Sequence, residues 1–171
     1  RRHYRRACPR IVRGFARHCG EIWPKVGFSD DGAPFFRIGG YTMAPMTYKG
    51  TVFTDLSLRL SQLDRLNIDL QVLSPNPLTF MHGVEATIAT NFCRRHNELM
   101  AETVSQAPDR LLGLAALPAQ DINAACEELK RSVTELGLKG AMIGTDLQLG
   151  FASNSLAPLY KTFVDLNVPL F

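Results

Sequence analysis

One kind of junction occurs three times in the sequence and narrows the possible folds more than any other feature. In each copy a stretch with helical apolar spacing ends in Leu, an Asn or Gly follows, and an apolar run comes next. Asn and Gly are the residues that most readily adopt the left-handed conformation in which helices end. Each junction therefore predicts a helix that stops and is followed at once by a strand. The copies are RLNIDLQVLSP at 65–75, ELGLKGAMIGT at 135–145 and DLNVPLF at 165–171.

The residues predicted to end these helices are Asn67, Gly137 and Asn167. An apolar residue follows each of them, as expected where the chain folds back over the last helical turn. These apolar residues are Ile68, Leu138 and Val168.

The helices also have predicted starting points. Asp55 and Asp121 precede apolar-periodic stretches and can accept hydrogen bonds from N–H groups of the first turn. Ser155 stands in the corresponding place before the third helix. A fourth helix, the longest, is predicted between Glu85 and Gln106. Its predicted buried residues are Ile88, Phe92, Leu99 and Thr103.

Strands are predicted to begin near residues 69, 111, 140 and 168, with a helix in each interval. The runs LQVL, LLGLAAL and GAMIG are continuously apolar rather than alternating, which is typical of a parallel sheet covered on its outer face. Repeated βα units leave two main architectures, an open doubly wound α/β sheet or a closed (β/α)₈ barrel. Periodicity alone does not choose between them.

The chain divides into three predicted segments. Residues 1–19 form a basic N-terminal segment, and residues 20–54, rich in Gly, Pro and aromatic residues, form a hairpin or flap insertion. Within the insertion, Asp30-Asp31-Gly32 predicts a turn between two short extended segments. Residues 55–171 carry the βα units.

Composition predicts a cytoplasmic protein with no membrane partner. No apolar stretch approaches the roughly 18 residues of a membrane span, and the arginine-rich start lacks the apolar core of a secretory signal. The cysteines form no CxxC pair, so we interpret them as reduced packing residues rather than as a zinc site or a disulfide framework. They are Cys8, Cys19, Cys93 and Cys126.

The positive charge of the chain belongs to its beginning. Residues 1–25 hold eight of the 19 basic residues and one of the 16 acidic residues. Such an arm could contact phosphate. No nucleic-acid-binding motif accompanies it, so a solvated arm is the favoured interpretation and no nucleic-acid partner is predicted.

Candidate site residues follow the apolar runs, because ligands of both architectures gather at the carboxyl ends of parallel strands. His82 lies in the loop after the first clear strand, near the predicted mouth of a pocket, whereas His96 lies on a helix and is interpreted as a packing histidine. No nucleophile elbow, phosphate loop or paired-histidine motif is present. The polar strand-end residues are Ser74, Asn76, Gln120, Thr145 and Asp146.

Several of these segments resemble one known family. RLNIDLQVLSPNP, CRRHNELMAETVSQAPDRLLGLAALPAQD, AACEELKRSVTELGLKGAMIGTDL and LAPLYKTFVDLNVPLF follow in order over roughly residues 35–171. Together they resemble the amidohydrolase-related metal-dependent decarboxylases, typified by aminocarboxymuconate semialdehyde decarboxylase. The resemblance implies a (β/α)₈ barrel that binds one divalent metal, commonly zinc, and a small carboxylate substrate.

The resemblance also implies where the metal ligands lie. In the family a His-x-His pair follows the first strand, a His ends the fifth and an Asp ends the eighth. Such ligands leave a coordination position open for water or a substrate oxygen. His3 could be the first histidine, whereas Arg5 stands in the place of the second and, being cationic, cannot bind a metal. The fifth-strand His-Pro of the family would come directly after Phe171, so we expect the chain to be an incomplete part of the barrel, inactive alone.

Substrate contacts are carried over to residues at matching positions. Lys49 is the candidate partner of the substrate carboxylate, and the strand-end candidates line the pocket. The leading hypothesis is a metal-dependent carboxy-lyase or hydrolase acting on a carboxylated aromatic or muconate-type substrate. The alternative is a non-catalytic half-barrel that acts as an interaction module, and in either case a homo-oligomer, a dimer, is expected because open sheet edges invite pairing. The strand-end candidates are Ser74, Asn76, Phe80, His82 and Thr145.

Overall fold

The structure is a computed structural model that describes residues 25–38, 41–45, 50–145, 147 and 150–171. The chain forms two compact units, an N-terminal unit up to residue 69 and a C-terminal unit from residue 70. The predicted basic segment, residues 1–19, lies outside the described residues.

The N-terminal unit contains a small antiparallel sheet. Its strands are β1 (Lys25–Phe28), β2 (Pro34–Ile38) and β3 (Tyr41–Met43), in the order β1-β2-β3. The predicted Asp30-Asp31-Gly32 turn joins β1 to β2. Gly32 has a φ of 82°, which favours glycine, and its N–H donates to Ser29 O at 2.8 Å.

Helix α1 (Leu56–Arg65) completes the described part of this unit and begins and ends where the sequence predicts. The Asp55 carboxylate accepts a hydrogen bond from the Leu58 N–H at 3.0 Å. Asn67 takes a φ of 52°, and the Ile68 N–H returns to Leu63 O at 2.9 Å. Local side-chain chemistry therefore determines both ends of the helix.

The C-terminal unit alternates parallel strands with helices, as predicted. Strand β4 (Gln71–Leu73) pairs in parallel with β5 (Leu111–Gly113), and strand β6 (Ala115–Ala116) pairs in parallel with β7 (Ala141–Met142). Ala141 makes a further parallel bridge to Leu170. The elements are β4 (Gln71–Leu73), α2 (Ala86–Val104), β5 (Leu111–Gly113), β6 (Ala115–Ala116), α3 (Ile122–Thr134), β7 (Ala141–Met142) and α4 (Ala157–Leu166), with 3₁₀ turns at Pro77–Thr79 and Asn154–Leu156.

The predicted strand at 111–117 forms two short strands with Leu114 between them, and each of the two pairs with a different neighbouring strand. The Leu114 N–H donates to Leu73 O on the β4 side, and the Ala115 N–H donates to Gly140 O on the β7 side, both at 2.9 Å. Successive N–H groups of a strand point to opposite edges, so this segment lies between β4 and β7. The sheet therefore follows chain order.

The helices pack on one face of this sheet. Gly113 shows how close the packing is, because a Cβ there would lie 2.8 Å from Met100 Cγ and 2.9 Å from Leu138 Cδ2. The buried core comprises Ala115, Leu117, Ala125, Leu129, Leu138, Ala141, Ile143, Leu159 and Phe163.

The other two predicted helix ends are also observed. Gly137 has a φ of 71° and Asn167 a φ of 52°. The Val168 N–H donates to Phe163 O at 3.1 Å, which closes the last turn of α4. The conformational preference of one residue is sufficient at each of these positions.

Two details of the predicted helices are wrong. Ser153, rather than Ser155, caps the 3₁₀ turn before α4, because its Oγ accepts from the Ser155 N–H at 3.3 Å. The buried face of α2 is also rotated from the predicted one: Phe92 is buried, but Ile88, Leu99 and Thr103 are only partly buried. The buried residues of α2 are Ala89, Phe92, Cys93 and Asn97.

Candidate functional site

The predicted strand-end residues of the C-terminal unit follow three strands of one parallel sheet. Ser74 and Asn76 come after β4, Gln120 comes after β6 and Thr145 comes after β7. The side chains of Ser74, Asn76 and Thr145 are exposed. Because parallel strands end at the same edge of a sheet, these polar groups occupy the edge at which such folds bind ligands.

The loop after β4 is a folded structure. The Asn76 carbonyl accepts hydrogen bonds from the Thr79 N–H at 2.8 Å and from Thr79 Oγ1 at 2.7 Å. The Phe80 N–H then donates to Pro77 O at 3.3 Å. These bonds form the 3₁₀ turn that places Phe80 and His82 at the end of the loop.

Phe80 and His82 form a stacked pair. Both side chains are buried, their ring centroids lie 5.4 Å apart and their planes differ by 8°. Met81, between them, has a φ of 58°, a conformation that costs energy for a residue with a side chain. The pair is therefore a buried stack of one apolar ring on one imidazole ring.

Gln120 connects two strand ends. Its Nε2 donates to Met81 O and to Val84 O, each at 2.9 Å, across 39 and 36 residues of sequence. Its Oε1 is buried and has no hydrogen-bond partner among the residues that the structure describes. The sequence places Gln120 at the pocket edge as an amide, and the structure shows that this amide holds the loop with Phe80 and His82.

Three of the predicted residues cannot be placed. All three lie outside the described residues. They are His3, the predicted metal ligand, Lys49, the predicted partner of the substrate carboxylate, and Asp146. In the described ranges, no three His, Cys, Asp or Glu side chains are arranged to hold a metal ion. The described strand ends therefore present hydroxyl and amide groups and no set of side chains that fits a metal.

A second group of polar residues, which sequence reasoning missed, lies on the helix side of the sheet. We call it the helix-side polar cluster. Glu128 is 1% exposed and Asn97 and Ser132 are fully buried, while the Arg131 guanidinium binds both carboxylate oxygens of Glu128 at 2.8 Å. The cluster consists of Arg94, Asn97, Glu128, Arg131 and Ser132.

Asn97 joins this cluster to strand β6. Its Oδ1 accepts from the Ala116 N–H at 2.8 Å, and its Nδ2 donates to Ala116 O at 2.9 Å and to Glu128 Oε1 at 2.7 Å. The amide thus pairs with the strand backbone as a neighbouring strand would. A sequence signal exists: Asn97 follows Cys93 by four residues and Ala89 by eight, on one helix face.

Burial beside the cluster changes the pKa of two neighbours. Burial, with a smaller contribution from the charge of Glu128, raises the pKa of the Cys93 thiol well above its ordinary value. Burial lowers the pKa of His96, and its contact with Asn97 partly offsets this. Both groups are therefore held in their neutral forms, which fits the sequence interpretation of each as a packing residue.

The described residues include no helix with the length and apolar character required to cross a membrane.

Comparison with known proteins gives consistent relatives. The chain is 41% identical over 103 residues to a gamma-resorcylate decarboxylase of Rhodococcus jostii, covering 60% of this chain and 31% of that protein. It is 32% identical over 118 residues to a 2-amino-3-carboxymuconate-6-semialdehyde decarboxylase of Dictyostelium discoideum, covering 68% and 33%. The chain thus spans about a third of the length of the curated relatives that it matches.

A solved structure has the same fold. The dihydroxybenzoic acid decarboxylase of Polaromonas sp., crystallised with manganese and the inhibitor 2-nitroresorcinol, matches with a TM-score of 0.63 and 34% identity. The match covers 66% of this chain and 36% of that one. The parallel βα units are thus those of a (β/α)₈ barrel, which settles the choice that periodicity left open. The family model described as amidohydrolase matches residues 51–171, and the chain belongs to the amidohydrolase family.

Proposed function

We propose that this protein is a metal-dependent carboxy-lyase that removes CO₂ from a small carboxylated aromatic acid. The observation that carries the proposal is the set of exposed hydroxyl and amide side chains that follow the parallel strands, with the buried Phe80–His82 stack in the loop after β4. Hydroxyl and amide groups at the carboxyl ends of parallel strands suit a small acid with polar ring substituents. The names of the relatives, decarboxylases of resorcylate and of aminocarboxymuconate semialdehyde, support the same substrate class.

The described residues have binding roles in this proposal. Ser74, Asn76 and Thr145 offer hydroxyl and amide groups to the polar substituents, and Phe80 and His82 lie along the ring. Lys49 stays the predicted partner of the substrate carboxylate.

The metal ion is part of the proposal, and no described residue is assigned as its ligand. His3 stays the predicted ligand, and zinc stays the predicted ion, whereas the solved Polaromonas structure contains manganese. We predict that the 171-residue chain alone does not release CO₂.

A hybrid enzyme tests the proposal. Residues 51–171 would replace the matching segment of the Polaromonas decarboxylase, which supplies the rest of a barrel. We expect the purified hybrid to release CO₂ from 2,6-dihydroxybenzoate with Mn²⁺ or Zn²⁺ and to lose this activity with a chelator.

The binding of 2-nitroresorcinol makes the test interpretable. A hybrid that folds and contains metal but neither binds this inhibitor nor releases CO₂ would show that these strand ends serve a different substrate. The parent Polaromonas enzyme is the control for assembly and metal content.

The alternative from the sequence is a non-catalytic interaction module, and exposed apolar residues favour it. Leu70 is 47% and Val72 49% exposed. Light scattering of the 171-residue chain tests association: a dimer supports the predicted homo-oligomer and a monomer contradicts it. The predicted cytoplasmic location stays a prediction, which imaging of the tagged protein would test.

A further inference from the structure

We infer that Gln120 is a positioning residue that holds the Phe80–His82 pair in place at the strand ends. The claim that this pair contacts substrate rests on the proposed function, whereas the claim that Gln120 positions it rests on the hydrogen bonds alone.

The Gln120 side chain reaches from one strand-end loop to another. Gln120 lies in the loop after β6, and its Nε2 donates to two carbonyls, Met81 O and Val84 O, both at 2.9 Å. The residues between these carbonyls include His82, and Phe80 comes directly before them. Both N–H groups of one amide are therefore used to hold the short segment that carries the pair.

The orientation of the Gln120 amide is determined by the two carbonyls that it faces. If oxygen and nitrogen were exchanged, the oxygen would face two acceptors and gain no hydrogen bond. The observed orientation leaves Oε1 buried with no partner in the described part of the chain. The two bonds to the loop therefore determine how Gln120 is oriented, although its Oε1 gains no hydrogen bond from a described residue.

The loop held by Gln120 has a strained backbone conformation. Met81 has a φ of 58°, in the left-handed region, which L-residues other than Asn and Asp seldom occupy without support. Its carbonyl accepts both the Val84 N–H, at 3.2 Å, and Gln120 Nε2. Loss of the Gln120 bonds would allow Met81 to relax, and the two rings on either side of it would separate.

Histidine resonances offer a direct test on the 171-residue chain. Two of its four histidines lie beside an aromatic ring. His82 stacks on Phe80, and the ring centroids of His96 and Phe92, both on helix α2, lie 5.9 Å apart. In a histidine-labelled sample, the ring protons of each should be shifted by the neighbouring aromatic ring. His82 therefore reports on the loop, and His96 reports on the remainder of the unit in the same spectrum.

Two substitutions remove the donors of Gln120. Gln120→Glu keeps the shape but cannot donate, and Gln120→Met keeps the length without a charge. We expect the ring-current shift of His82 to be lost in both, while the signals of His96 stay in place. Gln106→Glu is the matched control, since Gln106 donates one exposed bond to Glu102 O at 3.0 Å, and it should change neither histidine.

The outcomes separate the inference from its alternatives. If His82 keeps its shift in both variants, Gln120 does not position the pair. If His82 and His96 lose their shifts together, Gln120 contributes to global stability and the inference is wrong. Either result overturns it.

The hybrid enzyme adds the functional arm. We expect Gln120→Met to raise the KM for 2,6-dihydroxybenzoate about tenfold, the effect of losing one or two hydrogen bonds, with a smaller change in kcat. An unchanged KM would contradict the role in substrate positioning. If the unsubstituted hybrid is inactive, the proposed function fails while the NMR result still decides the role of Gln120.

Discussion

The helix-side polar cluster and the strand-end loops use polar residues in opposite ways. In the cluster, Glu128 and Asn97 are buried and the Glu128 carboxylate is paired with Arg131. At the strand ends, Ser74 and Thr145 are exposed, and Gln120 keeps an acceptor without a partner in the described residues. The paired groups of the cluster serve the fold, whereas the exposed groups at the strand ends have the binding role that we propose for them.

The cluster explains how the Glu128 carboxylate can be buried on the helix side of the sheet. Glu128 receives hydrogen bonds from Arg131, Asn97 and Ser132. The bidentate bond to Glu128 raises the pKa of Arg131, which keeps the guanidinium charged. A buried charge is tolerable when its oxygens are paired in this way, and removal of one partner is costly.

The largest predicted effect is that of Glu128→Ala. This change leaves the Arg131 guanidinium and the Asn97 amide without their shared acceptor, so we expect the free energy of unfolding to fall by about 3–5 kcal/mol. Urea denaturation measures the loss. Glu127→Ala, at an exposed position of the same helix, is the control. A loss below about 1 kcal/mol would remove the contrast between the cluster and the strand ends.

Asn97→Asp should have the next largest effect. The aspartate keeps the shape of the side chain but cannot donate to Ala116 O, and its charge would lie beside Glu128. We expect a loss of about 2–3 kcal/mol in the same denaturation experiment. Asn91→Asp, at an exposed position of α2, is the matched control. Equal stability of the two variants would show that Asn97 does not support strand β6.

His96, which lies beside the helix-side polar cluster, predicts that the free energy of unfolding depends on pH. Because burial lowers its pKa in the folded state, the unfolded chain binds this proton more readily, and stability falls as the pH drops below the ordinary value of 6.5. One proton limits the slope to about 1.4 kcal/mol per pH unit. The pKa values of Asp31 and Glu85 are lowered by hydrogen bonds, so their stabilisation is lost only at lower pH, below 3.8 and 4.5.

The substitution His96→Gln separates this contribution. Between pH 5 and 6.5 the variant should show a flatter dependence of unfolding free energy on pH than the unsubstituted chain. Denaturation at several pH values provides the measurement. An identical slope in the two proteins would mean that His96 is not held neutral by its surroundings.

The smallest effect on stability is predicted at the strand ends. Ser74→Ala and Thr145→Ala alter exposed side chains, so the free energy of unfolding should change by no more than about 0.5 kcal/mol. In the hybrid enzyme, the same changes should raise the KM for 2,6-dihydroxybenzoate. Ser105→Ala, at an exposed position beyond α2, should change neither quantity. A large loss of stability without a change in KM would reverse the comparison.

Features set by one or two neighbouring residues could be predicted from the sequence. Asn67, Gly137 and Asn167 end helices because of their own conformational preference. Asp55 and Asp121 accept from N–H groups only three residues later. Such short-range chemistry does not depend on the rest of the fold.

Features that join distant residues could not be predicted in the same way. The Asn97–Glu128 bond spans 31 residues and the Gln120–Met81 bond spans 39. Each bond depends on how the helices and loops pack. The spacing of apolar residues gives no information about which polar residues will pair. The sequence placed Gln120 at the correct edge, but its role required the position of the loop.

The decisive measurement is CO₂ release by the hybrid enzyme that carries residues 51–171 in a complete metal-containing barrel. We expect metal-dependent release of CO₂ from 2,6-dihydroxybenzoate. A folded, metal-loaded hybrid that binds neither this acid nor 2-nitroresorcinol and releases no CO₂ would contradict it.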